Sequence, residues 1–78
     1  MSHGYSARLI ELNKKANSRL LGVRLGRVCI KRNIPVADVA LALRVSRQTI
    51  YNWFIGERSP QNLVVDDVEK LLDSFGFK

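Results

Sequence analysis

An all-α fold of four to five short helices around one core is what this sequence predicts, and three observations predict it. Apolar residues recur at helical spacing in successive stretches. Residues that start and stop helices separate those stretches, and no segment shows the strict alternation of a half-buried strand. The chain has 78 residues and 46% hydrophobic content, enough for one small domain with a modest core.

Residues 1–5 carry no pattern and read as a frayed end. For the stretch from Ser6 to Ala16 two readings stand. It is either a short extra helix, with Leu9, Leu12 and Ala16 as a stripe and Arg8, Lys14 and Lys15 in water, or a flexible basic arm. Residues 1–17 are therefore set apart as an arm or extra helix, and 18–78 hold the main domain.

Asn17 or Ser18 supplies a cap for the next helix, which runs to about Arg32. Leu21, Leu25, Val28 and Cys29 form its buried stripe. Gly22 and Gly26 are costly inside a helix, and their spacing permits the close approach of another backbone. Cys29 lies on the apolar face and reads as an inert core thiol. Arg24, Arg27 and Lys31 lie on the polar side, as a solvated row or as phosphate contacts. Asn33 ends the helix, and Ile34 turns into the core before Pro35.

The stretch 35–56, PVADVALALRVSRQTIYNWFIG, organises the chain. It reads as two short helices joined by a tight turn. Val36, Val39, Ala40 and Leu43 share one face of the first, and Pro35 suits its first turn. Ser46 caps the second by accepting from the N–H of Gln48 or Thr49, with Val45 and Ile50 placed as a hydrophobic staple. Ile50, Trp53 and Phe54 then point inward, while Arg47, Gln48, Tyr51 and Asn52 share the opposite face. Such a row of long hydrogen-bonding groups on a rigid rod suits the reading of base edges in a major groove. Gly56 closes this helix as a left-handed cap, and Ser59-Pro60 marks the following loop. Val64, Val68, Leu71, Leu72 and Phe75 mark the last helix, with Asp66 and Asp67 in its first turn and Gly76 as its stop.

The net charge is +6 and the sequence pI is near 10.1. The charge is uneven: residues 1–35 carry +7, 36–60 carry +1 and 61–78 carry −2. A polyanion is the expected partner, nucleic acid before membrane, facing the N-terminal half and the central motif. With one cysteine no intrachain disulfide forms, which fits a reducing compartment. No apolar run approaches the roughly 18 residues of a membrane span, and the N-terminus lacks a signal-peptide core. A cytoplasmic location, in a bacterium or a phage-infected host cell, is expected. An enzyme is the weakest reading. His3 is the single histidine, Cys29 reads as buried, and no glycine loop of phosphate-binding type is present. No catalytic residue, metal, cofactor or small-molecule ligand is expected.

The central residues resemble the helix-turn-helix of the Cro/CI family, the lambdoid phage repressors, Cro proteins and related bacterial regulators. That family's pattern runs L-A-x-x-L-G-V-S-x-x-T-I-x-x-W-E-x-G. Here Val39-Ala40-Leu41-Ala42-Leu43-Arg44-Val45-Ser46-Arg47-Gln48-Thr49-Ile50-Tyr51-Asn52-Trp53-Phe54-Ile55-Gly56 stands against it. The resemblance covers about Leu21 to Phe75 and implies a lambda-repressor-like domain. It further implies that Arg47, Gln48, Tyr51 and Asn52 read bases, that Ser46 and Thr49 lie near the sugar-phosphate backbone, and that Arg58 and Ser59 belong to a phosphate-binding loop.

Three departures carry consequences. Arg44 replaces the turn glycine, so it either bears the strain of a positive φ and aims its charge at a phosphate, or the turn differs. Val36 replaces a polar residue that in relatives clamps the backbone, leaving main-chain N–H groups to do so. Phe54 and Ile55 replace polar residues, as part of a wider core or as a subunit contact. The resulting expectation is a sequence-specific regulator, repressor- or Cro-like. It would bind a double-stranded DNA operator as a homodimer through the last helix or through Phe75-Gly76-Phe77-Lys78. The alternative is a protein-interaction module or antitoxin-like subunit, favoured if Leu41, Phe54 and Ile55 form an exposed apolar patch.

Overall fold

The computed structural model describes residues 5–75. Five α-helices follow one another: α1 (Ala7–Lys15), α2 (Leu21–Arg32), α3 (Val36–Leu43), α4 (Arg47–Phe54) and α5 (Asn62–Ser74). Among the described residues there is no strand. Helix α2 is the axis of the packing. It lies against α1, α4 and α5, while α3 bridges α4 and α5. Leu25, Cys29, Ile50, Phe54 and Val68 are fully buried at the centre, and Val23 is fully buried near Gly56. Burial pushes the Cys29 thiol up to about 12, so it stays protonated.

The segment after Tyr5 is helical. Ser6 caps α1, its Oγ accepting from the N–H of Leu9 at 3.2 Å. The other end is closed from outside the helix. Arg27 Nη2 donates to the carbonyls of Asn13 (3.3 Å) and Lys14 (3.1 Å). A guanidinium at a helix C-terminus meets both the free carbonyls and the dipole.

Helix α2 starts later than its nearest capping residues suggest. Leu20 is the N-cap and makes no side-chain bond, while the Asn17 side chain accepts from the N–H of Arg19 at 2.9 Å. Asn17 is thus spent on a local turn before the helix, a competing use open to every Asn. Its buried stripe holds Leu25, Val28 and Cys29 as expected and Val23 in addition, with Leu21 half-buried. Asn33 ends the helix in the left-handed region (φ 59°), its N–H bonding the Cys29 and Ile30 carbonyls.

The two α2 glycines are where α4 comes in. A methyl group at Gly22 would stand 2.6 Å from Trp53 Cβ and 2.9 Å from the Trp53 carbonyl oxygen. One at Gly26 would stand 2.7 Å from Asn13 Nδ2 and 2.8 Å from the Phe54 ring. The propensity lost inside α2 is therefore exchanged for close packing on the Trp53 backbone at Gly22 and on the Asn13 and Phe54 side chains at Gly26.

Pro35 is the N-cap of α3 rather than its first residue, and Val36, Val39, Ala40 and Leu43 are buried. Arg44 adopts the left-handed conformation (φ 60°, ψ 41°), its N–H bonding the Ala40 and Leu41 carbonyls. The family turn is thus kept without its glycine. The strain costs an L-residue about 1–2 kcal/mol, partly offset because a glycine loses more chain entropy on folding. Arg44→Gly is expected to stabilise the fold by about 0.5 kcal/mol, read as a higher urea midpoint.

Helix α5 begins at Asn62, so its first turn holds no acid and Asp66 and Asp67 fall in the second, out of close reach of the dipole. Val68 and Leu72 are buried, and Val64, Leu71 and Phe75 pack beside them. The expected stop at Gly76 lies outside the described residues, as do His3 and the end of the Phe75–Lys78 segment.

Candidate nucleic-acid interface

Helix α4 is fastened at both ends and from beneath. At its start the Ser46 Oγ accepts from the N–H of Thr49 at 3.1 Å and lies 2.9 Å from the Thr49 hydroxyl. Beneath it, Ile50, Trp53 and Phe54 are buried against α2 and α3. At its end every one of the last four carbonyls has a donor. Tyr51 O takes the N–H of Ile55, Trp53 O that of Gly56, and Asn52 O those of Glu57 (2.9 Å) and Arg58 (3.2 Å). Phe54 O takes the side chain of Asn13 at 2.6 Å, from 41 residues away. Gly56, at φ 80°, makes the exit possible.

On the outer side Arg47 and Gln48 are exposed, Tyr51 is partly exposed, and Asn52 is half-buried. Gln48 Nε2 donates to Asn52 Oδ1 at 3.1 Å, so the two amides stand together. Arg47, Gln48 and Tyr51 line one groove of about 820 Å³. Its other wall is the start of α1, and its floor includes Val36 and Ala37 of the first turn of α3. No carboxylate lines it.

The remaining predicted site residues lie outside the lining of this groove. Ser46 and Thr49 are bonded to each other at the head of α4. Arg58 and Ser59 are exposed on the loop whose path is set by the two N–H bonds to Asn52 O. Arg44 is exposed but borders a separate hollow with Asp67 and Lys70 of α5. On α2, Arg27 is engaged with the end of α1, while Arg24 and Lys31 remain exposed.

Two residues that shape the site escape a reading of periodicity. Asn13 is buried, donating to Phe54 O and, at 3.3 Å, to Val23 O. Its signal is a lone amide four residues beyond Leu9 on the apolar stripe. Tyr5 donates its hydroxyl to Ile34 O and lays its ring 6.0 Å from that of Phe54. Its signal is an aromatic just before the Ser6 cap, the position of a staple. Burial, and then the neighbouring Cys29, Tyr51 and Asp38, hold the Tyr5 phenol protonated well above its ordinary range. Phe54 is therefore core, and the patch of Leu41, Phe54 and Ile55 is not assembled, although Leu41 itself is 81% exposed.

Among the described residues no group of three or more His, Cys, Asp or Glu side chains is placed to hold a metal, and no helix is long and apolar enough to cross a membrane. No curated protein and no solved structure matches the chain. A family model described as helix-turn-helix matches residues 23–75, from α2 through α5. The span includes the capped, buried-side-down α4, and the chain accordingly belongs to the Cro/CI-like helix-turn-helix family, whose members are DNA-binding regulators of transcription.

Proposed function

We propose that the chain is a sequence-specific regulator of the repressor or Cro kind, with α4 lying in the major groove of an operator. The observation that carries this is α4 itself: capped at Ser46, anchored at Phe54 O, and bearing Arg47, Gln48 and Tyr51 beside a groove without carboxylates, with the half-buried Asn52 amide bonded to Gln48. A helix held this firmly keeps its side chains in register with base edges, where misplacement by about 1 Å loses the contact. By side-chain chemistry Arg47 suits guanine, and Gln48 or Asn52 suits adenine, each good pair contributing about 1–3 kcal/mol of discrimination. Ser46, Thr49, Arg58, Ser59 and Arg44 are assigned to the sugar-phosphate backbone. Residues 18–78 would carry the motif-bearing domain, and 1–17 the accessory segment.

One such helix covers only a few base pairs, so the reading includes a homodimer on a palindromic operator with half-sites about 34 Å apart. A bacterial or phage-infected cytoplasm follows from that role. Selection of bound duplexes from a random pool yields half-site, spacing and symmetry together. On the selected duplex, Gln48→Ala is expected to change base preference at one position while leaving non-specific affinity nearly intact. Arg47→Ala combined with Asn52→Ala is expected to abolish selectivity. Uniform weakening on all sequences, or selectivity that survives the double substitution, would overturn the assignment.

A further inference from the structure

We propose that α1 is a second wall of the DNA interface, with Arg8 gripping a backbone phosphate beside the major groove that α4 enters. The inference rests on the reading of α4 above and adds a residue outside the span shared with the family. Three observations carry it. Arg8 lines the same groove as Arg47, Gln48 and Tyr51, so the two guanidinium groups border one concave surface without a carboxylate. Arg8 is exposed and has neither an ion-pair nor a hydrogen-bond partner among the described residues; the ion pair of α1 is Lys15 with Glu11, on its other half. Helix α1 is also not free to swing away. Asn13 bonds Phe54 O, Tyr5 bonds Ile34 O and packs on the Phe54 ring, and Arg27 holds its C-terminus.

A rod in a major groove has a phosphodiester strand on each flank, and the start of α1 borders the same groove as the outer side of α4. An arginine suits that position because its planar fork matches two phosphate oxygens. Its helix is already ordered, so little backbone freedom is lost when the contact forms. The contact would orient the protein on the duplex without reading sequence.

The test is a salt titration of the full chain on its selected duplex and on an unrelated one, with wild type, Arg8→Ala and Arg8→Lys. Arg8→Ala is expected to weaken both duplexes by the same factor and to lower the slope of log affinity against log salt by about one per bound subunit. Arg8→Lys should restore most of the slope, and the thermal midpoint should not move. Ethylation of phosphates should lose one interfering position per half-site in Arg8→Ala. Wild-type binding with an unchanged slope and interference pattern in Arg8→Ala overturns this inference and leaves the α4 reading standing. A change of base preference in Arg8→Ala also overturns it, because Arg8 would then read a base. Absence of duplex binding by the wild type overturns both.

Discussion

Cutting Phe54 back to alanine is expected to cost about 3–5 kcal/mol of stability, the usual range for emptying a buried phenyl site. The side chain is fully buried, and three elements meet on it: Gly26 of α2 approaches its ring, Tyr5 packs against it, and α1 crosses its carbonyl. The cavity has little means to collapse on the side where the α2 backbone at Gly26 meets the ring. Lost ring-on-ring contact with Tyr5 adds to the transfer and cavity terms. Small domains hold only about 5–15 kcal/mol in total, so this single change removes a large share. The one tryptophan, Trp53, is buried on the same helix and reports the transition by fluorescence in a urea titration. A loss under about 1.5 kcal/mol would show that the Phe54 site relaxes and that α1 contributes little to holding α4.

Gly22→Val is expected to destabilise the fold by about 3 kcal/mol or more, the upper end for overpacking. A Cβ alone would already stand 2.6 Å from Trp53 Cβ and 2.9 Å from the Trp53 carbonyl oxygen. The obstacle includes main chain, which has no rotamer to turn away into. Replacing a helical glycine gains up to about 1 kcal/mol of intrinsic propensity, too little to offset the overlap. The only relief is a shift of α4 away from α2, so duplex binding should fall further than stability does. Midpoints from denaturant titration and affinities at a temperature where the variant is folded separate the two effects. A variant as stable as wild type would mean that the two helices do not meet as closely as the structure places them.

The helices with a clear apolar stripe were legible because burial on one face imposes a period that neighbouring residues record. Val39, Ala40 and Leu43, and Ile50 and Trp53, stand in the sequence at the spacing at which they are buried. Ser46 was legible because its bond to Thr49 spans three residues, a distance at which sequence and space coincide. The start of α2 was not, since Asn17 has two local uses and takes the turn. Nor was the start of α5, where Gln61 and Asn62 precede the apolar period. Asn13 and Tyr5 failed for a different reason. Their partners, Phe54 and Ile34, lie 41 and 29 residues on, and nothing local announces a bond of that length. Phe54 and Ile55 stood in the sequence as core or subunit contact, and only the arrival of α1 decides the question for Phe54. Outward exposure of Arg47 and Gln48 was readable as the back of the buried stripe, whereas the groove they share with Arg8 was not.

The bond between Asn13 and the Phe54 carbonyl bears on how much chain must be kept together. A fragment trimmed to its homologous limits, residues 23–75, would discard Tyr5 and Asn13. It would leave the Phe54 ring without the Tyr5 ring beside it and the final carbonyl of α4 without its donor. Kinship marks out the piece that has relatives; the piece expected to hold its full stability is longer, and shortened expression clones should begin upstream of Tyr5.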